Sequence, residues 1–230
     1  MWLEQRKQFS SYGLRRMAFK LPVRLILPAL LALVAMVSLA SAQPYKIVGF
    51  GDSLMAGYGL GAGEGFPEKL QAALRKRGHD VVIANAGVSG DTTGDGLARL
   101  DWSIPDGTRL VIVELGANDM LRGLAPADTE RNLDKMLSRL KERLIPVLLV
   151  GMRAAPNLGA DYGDAFDGIY PRLARKHAVP LYPFFLEGVA ADRTLLLEDG
   201  MHPNAAGIDR MVERMLPQVE KLIGESADNS

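Results

Sequence analysis

The sequence predicts an α/β fold built on a mostly parallel sheet. Three observations carry that reading. Short apolar runs (Ile47 to Phe50, Val81 to Ala84, Leu110 to Val113, Val147 to Val150) alternate with longer segments of helical period, the pattern of βαβ units. None of the four runs alternates polar with apolar residues, so each is expected to be buried on both faces by flanking helices. With 230 residues and 48% apolar content, the chain suffices for one well-buried domain and falls short of two large ones.

The segment before the first run reads as an address rather than as part of the fold. Residues 1–42 hold six basic side chains (Arg6, Lys7, Arg15, Arg16, Lys20, Arg24) against one acid, Glu4. Lys20 and Arg24 precede the uncharged apolar run Leu25 to Leu39, and Ala40-Ser41-Ala42 supplies the small residues a signal peptidase accepts. Cleavage after Ala42 and export to the periplasm or medium are expected, with the domain spanning 43–225 and a frayed tail over 226–230. The competing reading is a retained membrane anchor, because the run is only slightly shorter than a spanning helix. Translation can start at Met1 or at Met17, which would give a leader of ordinary length.

Without the leader, 21 basic side chains remain against 26 acidic ones, a net charge near −5 with histidine neutral, so nucleic acid is not an expected partner. The absence of cysteine excludes disulfides, thiolate nucleophiles and Cys-ligated zinc. Any covalent chemistry must use oxygen or nitrogen.

Between the strands, Phe66, Leu70, Ala73 and Leu74 recur at helical spacing, as do Leu133, Met136, Leu137, Leu140 and Leu144. Phe166, Ile169, Tyr170 and Leu173 form a further stripe, in which Pro171 should kink the helix or begin a new one. Leu181-Tyr182 reads as a short fifth strand. Ile208, Met211, Val212, Met215 and Val219 mark the last helix, the methionines serving as core filling.

The chemistry-bearing residues follow the strands. Gly51-Asp52-Ser53-Leu54 places a serine at the carboxyl end of the first run, on the edge where open α/β sheets bind ligands. Such a serine is a nucleophile only with a base, an orienting acid and oxyanion donors; alone, the stretch reads equally as a turn. In a parallel sheet the loops after the second and third strands, Asn85 to Thr92 and Glu114 to Asp119, converge on the same edge, as can Asp199-Gly200-Met201-His202-Pro203-Asn204. The second-strand loop brings glycines whose backbone amides can point inward, and the third brings the carboxamide of Asn118.

His202 is the candidate base, and Asp199, three residues earlier, can fix its tautomer. His79 and His177 stand in polar, basic surroundings that suit solvated roles. A metal at Asp199 and His202 would need further ligands, and no second histidine is near in sequence.

Gly51-Asp52-Ser53-Leu54, Ser89-Gly90-Asp91-Thr92, Gly116-Ala117-Asn118-Asp119 and Asp199-Gly200-Met201-His202-Pro203 resemble, in that order, the blocks of the SGNH (GDSL) hydrolase superfamily. The likeness runs from about Tyr45 to about Leu222 and is closest to the periplasmic thioesterase, lysophospholipase and arylesterase branch. The resemblance implies a flavodoxin-like three-layer α/β/α sandwich with five parallel strands. It implies Ser53 as nucleophile, His202 as base and Asp199 as its orienter, with Ser53, Gly90 and Asn118 forming the oxyanion hole. Esters, thioesters or lipid esters are then the expected substrates, with no cofactor or metal required. The stretch Met120 to Pro126 directly follows Asn118 and suits a closing lid, so Leu121, Leu124 and Pro126 are expected to line an acyl groove.

Two other readings stand beside this one. Related branches deacetylate carbohydrates with the same residues, and an aromatic cleft would favour that activity. Outside enzymes, a flavodoxin-like sheet can serve as a flavin-binding or other exported binding module.

Overall fold

The computed structural model describes residues 43–228; the expected leader and the last two residues lie outside that range. Five strands form one parallel sheet in the order β2-β1-β3-β4-β5. They are β1 (Tyr45–Gly51), β2 (Val81–Gly87), β3 (Leu110–Glu114), β4 (Val147–Val150) and β5 (Leu181–Tyr182). Between and after them come α1 (Ser53–Ala56), α2 (Phe66–Lys76), α3 (Thr93–Ser103), α4 (Ala117–Leu121), α5 (Pro126–Glu142), α6 (Ala160–Asp167), α7 (Ile169–His177) and α8 (Ala205–Asp228). Helix α2 packs on α8, while α3, α5 and α7 pack in series, which makes the three-layer sandwich.

Burial separates the strands more finely than the sequence runs do. All five residues of β3 and all four of β4 are buried, as an interior parallel strand requires. β2 departs from the expectation of burial on both faces: it is an edge strand bonded only to β1, and Val82 on it is 39% exposed. An apolar run does not reveal whether a strand has one neighbour or two.

The helices form for local reasons that packing then fixes. In α2, Pro67 and Glu68 occupy the first turn and Arg75 and Lys76 the last, each charge complementing the helix dipole. Leu133, Met136, Leu137 and Leu140 bury one face of α5, but Leu144 lies beyond its end, with φ +56° and 89% exposure, in the turn into β4. Pro171 sits in the first turn of α7, after the break at Gly168. Helix α8 continues through Ser226, past the expected start of the tail, because Ser226 Oγ donates to Leu222 O (2.8 Å) and accepts from Tyr45 Oη (3.0 Å).

Helix α3 was not legible from apolar periodicity, since Gly94, Asp95 and Gly96 occupy its first turn. A capping box starts it: Thr92 Oγ1 accepts the Asp95 N–H (3.3 Å) and the Asp95 carboxylate accepts the Thr92 N–H (3.0 Å).

Candidate active site

β1 is the switch point of the sheet: the chain leaves it for β2 on one side and later returns to β3 on the other. The crevice that opens there, at the carboxyl ends of the strands, is where such folds place their ligands. Ser53 begins α1 directly after β1. The Asp52 carboxylate caps that helix, Oδ1 accepting the Leu54 N–H at 3.0 Å, and so fixes the turn carrying the serine.

Ser53 Oγ lies 2.9 Å from His202 Nε2, and His202 Nδ1 lies 2.6 Å from Asp199 Oδ2. With the proton on Nδ1 facing the carboxylate, Nε2 is left to accept from the serine hydroxyl. Asp199 is itself anchored, since Oδ1 accepts the N–H groups of Met201 (2.9 Å) and His202 (3.0 Å). The His202 backbone N–H, then that of Met201, then the imidazole hold the Asp199 carboxyl down at about 2, so it stays anionic beside the ring. A tilted Tyr58 ring stacks on the imidazole, with centroids 4.5 Å apart.

Asn118, in the first turn of α4, donates through Nδ2 to Asp52 Oδ2 (3.2 Å) and to the Asp91 carbonyl (3.0 Å). Arg122, at the end of the same helix, donates to the Gly90 carbonyl (2.6 Å). One short helix thus grips two successive carbonyls of the loop after β2. Gly90 has φ +89°, which a side chain would oppose, and neither its N–H nor that of Ser53 makes a hydrogen bond among the described residues. Ser53, Gly90 and Asn118 all border the same cleft.

Below this layer lies buried charge. Arg99 ties its guanidinium to the Asp91 carboxylate (2.5 Å) and to the Ala86 and Gly51 carbonyls (both 2.8 Å), stacked 4.2 Å over the Phe50 ring. Burial raises Asp52 to about 6 and Glu114, at the end of β3, well above the ordinary carboxyl range.

A cleft of about 510 Å³ opens over the serine. Ser53, Gly90, Asn118 and His202 line it, with Asp199 behind the imidazole. Of the three residues expected in an acyl groove, Leu121 lines it; Leu124 and Pro126 do not. The Leu124 N–H and carbonyl are committed to Asp119 O and Tyr162 Oη (both 2.9 Å), which folds the stretch away, and Pro126 already opens α5.

Sequence reasoning missed Tyr58, the segment Met152 to Pro156, Phe184 and Leu186 in the lining. Topology was the available signal for one of them, because the segment after β4 must reach the same sheet edge as the other loops. Trp102 is 76% exposed on α3 and is not part of the lining.

The remaining histidines lie outside the cleft. His79 meets Glu220 at 3.3 Å. His177 is buried rather than solvated, because α7 packs on α5 and brings Asp134 to 2.6 Å from its ring. Among the described residues, no three His, Cys, Asp or Glu side chains cluster as a metal site would need.

The chain is 45% identical over 170 residues to an arylesterase of Vibrio mimicus, covering 72% of this chain and 84% of that protein. It is 38% identical over 178 residues to thioesterase 1/protease 1/lysophospholipase L1 of Escherichia coli K12, covering 77% of this chain and 84% of that protein. The crystal structure of AlinE4, an SGNH-hydrolase family esterase, matches at 51% identity with a TM-score of 0.67, over 79% of this chain and 98% of that one. Residues 50–210 match the model of the GDSL-like Lipase/Acylhydrolase family, so the chain belongs to that family.

Proposed function

We propose that the protein hydrolyses carboxylic esters and thioesters through an acyl-enzyme on Ser53. The hydrogen-bonded series from Ser53 through His202 to Asp199, on the floor of a largely apolar cleft, carries this reading. His202 Nε2 takes the serine proton as Oγ bonds to the substrate carbonyl carbon. The carbonyl electrons move onto oxygen, which the N–H groups of Ser53 and Gly90 and the Asn118 amide stabilise. Asn118 gives up one of its two resting acceptors to do so. When the tetrahedral intermediate collapses, the leaving group departs with the proton from Nε2. Water then attacks the acyl carbon, Nε2 taking its proton and returning it to Ser53 Oγ.

The lining favours an acyl chain over a sugar. Among the described residues of the lining, Tyr58 and Phe184 carry the only phenyl rings, and aliphatic and methionine side chains make up most of the rest. Residues 1–42 act in this reading as a leader cleaved after Ala42, leaving a periplasmic or secreted enzyme. No described helix is long and apolar enough to cross a membrane.

A panel of p-nitrophenyl esters of increasing acyl length, run beside acyl-CoA and lysophospholipid, tests the activity. Turnover in the native protein that is lost in Ser53→Ala supports the proposal; no turnover of any ester or thioester refutes it. Mass spectrometry of the exported protein tests the leader, and an intact Leu25 to Leu39 segment would refute its removal.

A further inference from the structure

The described residues expose eight large apolar side chains, and five of them fall on one face. Tyr58 follows β1, Val88 follows β2, Leu121 and Leu124 follow β3, and Met201 precedes α8 beside His202. Tyr58, Leu121 and Met201 line the cleft itself, and Val88 and Leu124 stand on loops that follow the carboxyl ends of β2 and β3. Single exposed apolar residues are ordinary, but a cluster around one opening marks an interaction surface.

The same face carries three arginines that form no ion pair among the described residues. Arg122 has donated only to the Gly90 carbonyl, Arg153 lies 5.1 Å over the Phe184 ring, and Arg193 flanks Gly200. Among the described residues of the lining, Arg153 is also the one permanently charged side chain. Acids stand on this face as well: Asp199 is bonded to His202, Asp91 to Arg99, Glu64 to the Gly61 N–H, Asp167 to the Ala154 N–H beside Arg153, and Asp192 to the Thr194 N–H beside Arg193, while Glu198 adjoins Asp199. Exposed apolar side chains set among arginines that form no ion pair match the chemistry of an anionic lipid surface, where apolar side chains enter the headgroup boundary and arginines meet phosphates.

We propose that the cleft face docks onto anionic lipid surfaces, with Tyr58, Leu121 and Met201 entering the headgroup region and Arg153 and Arg193 meeting lipid phosphates. Ser53 then opens directly toward the lipid, so a substrate can enter the cleft without crossing water. Docking does not depend on the hydrolase reading, because it is read as binding.

The test uses Ser53→Ala protein spanning residues 43–230, which contains the entire sheet, its helices and the core. It is sedimented with vesicles of ether-linked phosphatidylcholine, alone or mixed with ether-linked phosphatidylglycerol. Binding to the mixed vesicles only, weakening as salt rises, is expected. Arg153→Gln and Arg193→Gln should each weaken it about fivefold and together about 25-fold, the loss of ~1 kcal/mol per arginine at a lipid surface. Met201→Ser should weaken it as well, and Trp102→Ser should not, with unchanged thermal midpoints showing that each variant is folded. Equal binding to both vesicle types, full binding by the double arginine variant, or loss confined to Trp102→Ser would each overturn the proposal. So would glycerol phosphate binding at the arginines with no vesicle binding, which would make the site one for soluble anions.

Discussion

Glu114 lies beneath Asp52: the Asp52 N–H approaches Glu114 Oε2 at 3.4 Å, both side chains are fully buried, and Glu114 Oε1 has no hydrogen-bond partner among the described residues. Two carboxyls so placed cannot both ionise cheaply. Burial above all raises Asp52 from its ordinary 3.8 to about 6 and Glu114 well above its ordinary 4.5, so both take up protons as the chain folds. The stability these groups contribute is complete below the unfolded values and is lost as pH rises through the folded ones. For Asp52 alone the change is on the order of 2–3 kcal/mol. Glu114→Gln, neutral at every pH, should flatten the urea midpoint between pH 4 and 8, measured by circular dichroism; an unchanged slope would show that the pair does not titrate in this way.

Arg99→Met should be among the most damaging substitutions away from the cleft. It strands the Asp91 carboxylate, 12% exposed, and releases the carbonyls that the guanidinium draws together from β1 and β2. A loss of about 3–5 kcal/mol is expected in denaturant unfolding, with part recovered in Arg99→Met/Asp91→Asn because the stranded charge is then gone. Additive losses in the double variant would contradict this coupling.

Ser53→Ala and His202→Ala should each abolish most ester turnover, and the double variant should lose little more. Asp199→Ala should be milder, since in the proposed mechanism the carboxylate only orients the ring and water can partly replace it. A fluorophosphonate probe should label Ser53 alone, and labelling at Ser89 or Ser103 would move the nucleophile.

If Asn118 is an oxyanion donor as proposed, Asn118→Ala should lower kcat about 10²- to 10³-fold with little change in KM, because the charge it would meet develops only in the transition state. A rise in KM at constant kcat would instead make Asn118 a substrate-binding residue.

Leu121 and Leu124 stand three residues apart but on opposite sides of a boundary: one lines the cleft and the other has both backbone polar groups bound outside it. Leu121→Ala should shift the acyl chain-length profile, and Leu124→Ala should leave it unchanged. The opposite result, read with the p-nitrophenyl ester series, would mean that the stretch refolds around the substrate.

The sequence made the sheet and the polar blocks legible because both rest on short-range pattern. Apolar runs mark interior strands such as β3, and Ser53, Gly90, Asn118 and His202 occupy blocks that parallel topology carries to one edge. What stayed hidden depends on neighbours distant in the chain. The exposure of Val82 follows from β2 having one partner, and the burial of His177 follows from α5 packing over it. Helix α3 carries little apolar signature, because side-chain caps rather than an apolar stripe start it. Phe184 and Leu186 entered the cleft with no local signature at all.

The two links of the serine–histidine–aspartate series differ greatly in chain distance. Asp199 and His202 are three residues apart and share a small closed turn in which the Leu197 N–H donates to the His202 carbonyl (2.7 Å), whereas Ser53 and His202 are separated by 149 positions. The aspartate–histidine contact can therefore form as soon as its own segment is made, while the serine meets it only after the sheet has closed around them. During refolding, regained turnover should be a late signal that follows the recovery of helical circular dichroism, because the rate depends on the most distant contact rather than on the turn.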